Sequence, residues 1–269
     1  MALPPPEPDS TALVTGASSG IGEEIARGLA RRGHGVTLVA RREDRLTALA
    51  GELGRAHDVR TEVIGADLAD PAARDELAAR VGELGLDVEV LVNNAGYGGF
   101  GPFAEQDRER EIGMIRLNVE ALVDLESRFL PGMVGRERGA VVNIASTASF
   151  QPIPDNATYA ATKAFVLSHG EAVHEELRGS GVSVTTVCPG PVKTEFADVA
   201  GIGGAEDRTP EFVWLTPEQV ATAAIDGAER GRRVVVPGML NRATSLVGQH
   251  SPRAIALPLT KNIWRRGAL

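Results

Sequence analysis

Residues 11–22 read Thr11-Ala12-Leu13-Val14-Thr15-Gly16-Ala17-Ser18-Ser19-Gly20-Ile21-Gly22. The first five predict a short buried strand. The glycines predict a tight turn, and Ile21, Ile25 and Leu29, at i, i+4 and i+8, predict the helix after it. The same order repeats along the chain. Strands are predicted at 35–40, 59–64, 88–93, 140–146, 182–188 and 233–238. Helices are predicted at 42–53, from Asp70-Pro71 to about 84, at about 105–130, at 156–178 and at 217–229. The 105–130 helix carries Ile112, Ile115, Val119, Leu122 and Leu130 as one apolar stripe. Strands that are apolar and β-branched throughout fit a sheet covered on both faces. Strand–helix alternation then predicts an α/β fold, a doubly wound parallel sheet flanked by helices. A TIM barrel would need eight such units. No repeat or linker divides the chain, so residues 11–238 are read as one domain. The Pro-rich residues 1–10 are expected to be a disordered extension, and 239–269 a tail packed on or beside the domain.

At 269 residues, 43% hydrophobic and 24% charged, the chain has ordinary globular composition. The lone Cys188 excludes a disulfide framework. Five scattered histidines with no H-x-x-x-H pair give no reason to expect a metal. With no long apolar run and no signal-like N-terminus, the expected location is cytoplasmic. The net charge of −8 divides into +7 over residues 231–269 and −15 over the rest, which argues against nucleic acid as partner. Only three lysines, Lys163, Lys193 and Lys261, stand beside 25 arginines.

The turn Thr15-Gly16-x-x-x-Gly20-x-Gly22 lets backbone approach a pyrophosphate at a helix N-terminus, whose free N–H groups favour anions. A plain glycine-rich turn is the other reading of the same residues. At the end of the second strand an acidic residue would accept from a ribose 2′-OH. Here Ala40-Arg41-Arg42 stands instead. Two guanidiniums suit a 2′-phosphate, which favours NADP over NAD; a solvated charge cluster at a helix start is the alternative. Tyr159-Ala160-Ala161-Thr162-Lys163 puts a phenol and an ammonium on one helical face. A cation 4 Å away is worth about 4 kcal/mol at an effective dielectric near 20. That would lower a phenol pKa of about 10 by nearly three, into the range useful for proton transfer. A surface Tyr–Lys pair is the competing reading.

Taken together and in order, these residues resemble the short-chain dehydrogenase/reductase family, in its short branch, over about residues 10–238. The resemblance implies a Rossmann-like sheet with Gly16, Ser18, Ser19, Gly20, Ile21 and Gly22 at the dinucleotide turn, and Arg41 and Arg42 beside it. It implies Asp67-Leu68 at the adenine and Asn94-Ala95-Gly96, of the run Asn93 to Gly96, beside the cofactor. It also implies Pro189-Gly190, with Val192 and the downstream Thr194, at the cofactor. The family's catalytic set falls on Asn118, Ser146, Tyr159 and Lys163. In it Ser146 polarises a carbonyl, Tyr159 donates the proton, Lys163 tunes the tyrosine and binds the cofactor ribose, and Asn118 holds a relay water. Thr147 and Ser149 compete with Ser146, which is chosen only by its spacing to Tyr159. Tyr97 is read as loop packing or pocket wall.

The expected activity is therefore hydride transfer between NADP(H) and a carbonyl/alcohol pair, with a hydrophobic ketone of acyl, steroid-like or polyketide-like type as substrate. A binding protein that senses NADP(H) without turnover is the alternative; an epimerase would need a longer substrate domain. Phe196, Ile202, Phe212, Val213 and Trp214 suggest an apolar lid, or else a surface loop with a few anchors. The resemblance implies a homodimer or homotetramer built on the 105–130 and 156–178 helices. The basic tail, with Leu246, Val247, Ile255, Leu257, Leu259, Ile263 and Trp264, suggests a subunit contact, attraction of an acyl carrier, or weak peripheral membrane contact. Pro252 and Pro258 count against the last.

Overall fold

The computed structural model describes residues 3–196, 211–251, 253, 254 and 257. Seven parallel strands form one sheet in the order β3-β2-β1-β4-β5-β6-β7. They are β1 (Ser10–Thr15), β2 (Val36–Ala40), β3 (Thr61–Gly65), β4 (Asp87–Asn93), β5 (Gly139–Ile144), β6 (Val182–Val187) and β7 (Val234–Val235). This is the doubly wound arrangement expected. The strand order reverses between β1 and β4, the place where open α/β sheets leave a crevice at their carboxyl ends.

Alternation within each strand supplies two cores. Val14, Leu38, Val90 and Val92 face α1 (Gly20–Ala30), α2 (Glu43–His57) and α7 (Pro217–Glu229), where Ile25, Leu29, Leu46, Val220 and Ile225 pack. Leu13, Leu91, Val141 and Val184 face the other way. They meet Leu77 and Val81 of α3 (Pro71–Glu83) and Leu125 and Met133 of α5 (Ala121–Gly135). Helix starts follow local chemistry. Asp70 caps α3 by accepting from Ala72 N, with Pro71 as the first helical residue, and Thr216 and Gln219 form a reciprocal capping box on α7.

The expected helix at 105–130 is three pieces: α4 (Arg108–Ile115), a π turn (Arg116–Glu120) and α5. The wide turn absorbs an extra residue, so positions read at uniform spacing drift off the core face. Met114, Asn118, Ala121, Leu122 and Leu125 point inward, while Ile112 and Ile115 face out, 36% and 44% exposed. The expected single stripe is corrected accordingly. The seventh strand is two residues long; Pro237, two positions past its end on this sheet edge, has no N–H for a ladder. Where a tail was expected, Met239–His250 forms helix α8.

Residues 3–9 differ from the disorder expected of them. Leu3 packs on the first core, Glu7 pairs with Arg138, and Arg138 also donates to Pro5 O. Prolines favour an extended chain but do not prevent it from docking. Of the lid and tail residues named from sequence, Ile202, Ile255, Leu259, Ile263 and Trp264 lie outside the described residues. Among the described residues no helix is long and apolar enough to cross a membrane.

Candidate active site

The carboxyl ends of β1 and β4 are tied together by side chains. Thr15 Oγ1 donates to Val92 O at 3.0 Å and accepts from the backbone of Asn94 and Ala95. Asn94 Nδ2 donates to Thr15 O and Gly16 O, at 2.9 and 3.2 Å. Asn94 therefore braces the glycine turn from beneath. Gly16 and Gly20 hold φ of +65° and +59°, which glycine adopts without a Cβ clash. A Cβ on Gly22 would lie 2.4 Å from Gly16 O, so the turn closes onto α1 only with glycine there. Ser19 starts α1 without capping it through its side chain, and the helix's first N–H groups face the turn.

Arg42 lies beside this turn. Its guanidinium donates to Ser18 Oγ at 3.1 and 3.0 Å and to Ser19 Oγ at 2.8 Å. Arg41 is exposed. Asp67 is exposed after β3, and its carboxylate accepts from Ala69 N. Leu68 is buried in the second core with its carbonyl taken by Arg74, and it also lines the small cavity beside Asn118 and Lys163. Arg74, itself 2% exposed, is neutralised by Glu120 and Asp124 at 2.5 Å each; this tie between α3 and the π-turn helix had no mark in the sequence.

Asn118 sits in the π turn and is 2% exposed. Its Oδ1 accepts from Tyr97 N at 3.1 Å; its Nδ2 donates to Tyr97 O at 3.0 Å and Thr162 Oγ1 at 3.1 Å. It thereby fixes the loop after β4 to α6 (Ala157–Glu176). Asn118 and Lys163 line a water-sized internal cavity with Asn93 and Ile144. Tyr97 donates to Arg110 O at 2.7 Å, with the Arg110 guanidinium 5.4 Å from its ring centre, which is loop packing.

Ser146 follows β5 and starts the 3₁₀ turn Thr147–Phe150. Its hydroxyl accepts from Ala148 N and lies near enough to the Tyr159 phenol to favour its ionised form. Ser149, its closest rival, instead donates to Lys163 O at 2.8 Å. Tyr159 and Lys163 share one face of α6, yet the expected electrostatics are reversed. Lys163 Nζ lies 5.8 Å from the Tyr159 ring centre and donates to Ile144 O at 2.8 Å. Burial pushes the Tyr159 phenol up to about 12, against the opposing influence of Ser146, and pushes Lys163 down to about 8. Desolvation is the largest influence on both groups, because both charged forms would leave water, and neither group counts among the influences on the other.

The segment after β6 runs over this group. Pro189 O accepts from Thr147 N, Gly190 is packed against Asn241 of α8, and Val192 pairs with Leu215. A Cβ on Gly20 would lie 3.0 Å from the Thr194 methyl, and Phe196 packs on Tyr159 with ring centres 5.5 Å apart. A shallow cleft beside Tyr159 is lined by Phe103, Met114, Gln106 and Thr158. The structure thus gathers Gly16 to Gly22, Arg42, Asn118, Ser146, Tyr159, Lys163 and Thr194 along one crevice. It leaves Arg41 exposed, with Asn94 and Leu68 engaged in the scaffold. Glu195, which bridges Arg42 and Arg45, was not singled out from the sequence, though it adjoins Thr194.

Comparison with known proteins agrees with this geometry. A family model described as short chain dehydrogenase matches residues 10–201. The chain is 36% identical over 220 residues to a very-long-chain 3-oxoacyl-CoA reductase of Anas platyrhynchos, covering 80% of this chain and 67% of that protein. It is 31% identical over 231 residues to a 7beta-hydroxysteroid dehydrogenase of Collinsella aerofaciens, covering 86% of each. A short-chain dehydrogenase from Sphingobium yanoikuyae, solved with NADPH, superposes with a TM-score of 0.80 at 38% identity, covering 89% of this chain and 92% of that one.

Proposed function

The chain belongs to the short-chain dehydrogenase family, and on that premise we propose that it is an NADP(H)-dependent oxidoreductase that reduces a hydrophobic ketone. The observation that carries the reading is the convergence of Ser146, Tyr159 and Lys163 on one place beside the glycine turn, with Lys163 Nζ 5.8 Å from the Tyr159 ring centre and Ser146 near enough to act on the phenol.

The donor set fits the cofactor. Positive-φ glycines and the α1 N-terminus suit a pyrophosphate. Arg42, backed by two serine hydroxyls and with Ala40 rather than a carboxylate before Arg41, suits a 2′-phosphate. The NADPH complex of the Sphingobium relative supports the same choice. When bound, the nicotinamide supplies the hydride. The protein's part is binding, orientation and proton handling. Ser146 Oγ donates to the substrate oxygen. Tyr159 Oη, held protonated by its surroundings, gives up its proton to that oxygen as the carbonyl becomes an alcohol. Lys163 Nζ, anchored on Ile144 O, holds the cofactor ribose and favours the phenolate left behind. Asn118 holds the loop and one wall of the cavity through which a water can return the proton.

For the substrate, the support is the apolar cover of Tyr159 by Phe196; the cleft beside it mixes Phe103 and Met114 with the polar Gln106, Glu111, Asp155 and Asn156. Two relatives named for a very-long-chain acyl thioester and a hydroxysteroid point the same way. The outward Ile112, Ile115 and Phe165, on α4 and α6, support association of copies through these helices. The test is NADPH oxidation followed at 340 nm against acyl, steroid and bulky cyclic ketones. The reading expects turnover with NADPH on at least one class. Binding of NADPH without turnover on any would favour the sensor alternative.

A further inference from the structure

Three consecutive residues reach three parts of the site. Thr194 lies on Gly20 of the glycine turn. Glu195 places Oε2 2.8 Å from Arg42 Nη1 and Oε1 2.8 Å from Arg45 Nη1. Phe196 lies on the Tyr159 ring and approaches Gly98 closely enough that a Cβ there would be 2.9 Å from its ring. Adjacent Cα atoms are only about 3.8 Å apart, so a backbone shift at Glu195 carries Phe196 with it.

We infer that Glu195 is a charge latch: it ties recognition of the cofactor's 2′-phosphate by Arg42 to the position of Phe196 over Tyr159. The inference rests on the NADP(H) reading above. A carboxylate and a phosphate compete for the same guanidinium hydrogens. The phosphate carries more charge and more acceptor oxygens, and the Ser18 and Ser19 hydroxyls beside Arg42 can donate to it. A 2′-phosphate on Arg42 therefore takes over the guanidinium and repels the Glu195 carboxylate. Phe196 is drawn off Tyr159 with it. The neutral 2′-hydroxyl of NAD(H) has no charge with which to displace the latch. The two arginines hold the Glu195 carboxyl down to about 2, with Arg45 the larger influence, so the latch stays charged at any working pH. All three side chains are roughly half exposed, and such pairs are weak singly. A latch of that strength can be opened by a ligand.

Glu195 is thus a positioning residue that selects between cofactors through turnover as well as affinity. The experiment compares wild type, Glu195→Gln and Glu195→Ala with NADPH and NADH. It adds inorganic phosphate to the NADH reaction, with potassium chloride at matched ionic strength as control. In wild type, phosphate should raise kcat with NADH by about fivefold or more, the lower end of coupling between sites, and chloride should not. In both variants kcat with NADH should already stand at the raised level and phosphate should add nothing. An NADH kcat equal in all three proteins and indifferent to phosphate, with NADPH still quenching protein fluorescence on binding, overturns the latch and leaves the cofactor reading intact. Failure of wild type to bind NADPH overturns the cofactor reading, and the latch with it.

Discussion

Lys163 lies one helical turn from Tyr159, yet spends a hydrogen bond on Ile144 O at 2.8 Å, with its Nζ 5.8 Å from the phenol's ring centre. Before any ligand binds, the lysine is a buried anchor more than an activator. Its pKa of about 8 means that it loses its charge as pH rises through that value. The phenol, near 12, stays protonated and competent to donate. kcat/KM for the cofactor reports groups of the free enzyme. For ketone reduction it should therefore be level through neutral pH and fall above about 8. In Lys163→Met the alkaline limb should disappear along with most of the activity. A limb that persists in the variant assigns it to another group.

Tyr159→Phe should lower kcat by about 10²- to 10⁴-fold, the range ascribed to a positioned proton donor. NADPH binding, followed by fluorescence, should survive. Turnover near wild type would remove Tyr159 from the proton path.

Arg42→Ala removes three donors to the two serines and one to Glu195. Charged hydrogen bonds are worth about 1.5–3 kcal/mol each. NADPH affinity should fall by about 10- to 100-fold while NADH affinity, measured by the same titration, stays within a factor of about two. Equal losses for both would place Arg42 outside the 2′-phosphate contact.

Asn118→Ala leaves Tyr97 N, Tyr97 O and Thr162 Oγ1 without their partner. An orphaned buried polar group costs about 1–3 kcal/mol. For a chain of this size that should lower the thermal midpoint by several degrees, at about 2–4 °C per kcal/mol. Asn118→Asp keeps the acceptor and loses the donor, and should fall in between. Calorimetry of the pair separates this bracing role from any effect on rate.

Glu126 is buried and accepts from Asn143 Nδ2 at 2.7 Å, with His169 Nε2 at 2.8 Å. The Glu126 hydrogen bond raises the His169 pKa above its usual 6.5. A folded-state value above the unfolded one stabilises fully below about 6.5 and ceases to do so as pH rises through the raised value. Wild type should therefore lose thermal stability on going from mildly acidic to alkaline solution. His169→Gln should lose less over the same interval. Parallel melting curves for the two would show that the pair is not titrating.

The sheet and the candidate site residues are legible because both leave periodic or spaced marks. Apolar β-branched runs name strands, and Tyr159 with Lys163 names a helical face. Such marks give direction and nothing about surroundings. The spacing therefore suggested that the ammonium would lower the phenol's pKa, whereas burial of both groups and the Ile144 carbonyl decide the outcome. The π turn had no compositional signal, so Ile112 and Ile115 were assigned inward. Pairings made only in three dimensions, Arg74 with Asp124, Glu126 with His169, and Glu195 with Arg42, join residues tens to more than a hundred positions apart. Helix α8 leaves no such mark, because its inward face is Asn241 and Ser245 while Met239, Leu246 and Val247 face out, the reverse of an amphipathic core helix.

The middle of the sheet is also the first part of it to be synthesised. Strand β1 is flanked by β2 on one side and by β4 on the other, and β4 ends at Asn93. A nascent chain must carry one bare edge of its central strand until that point has left the ribosome, and none of the pairings is a local hairpin. Slow, non-local closure of this kind leaves time for wrong partners. Recombinant yield should therefore respond more to slowed translation or chaperone supply than to changes at the surface.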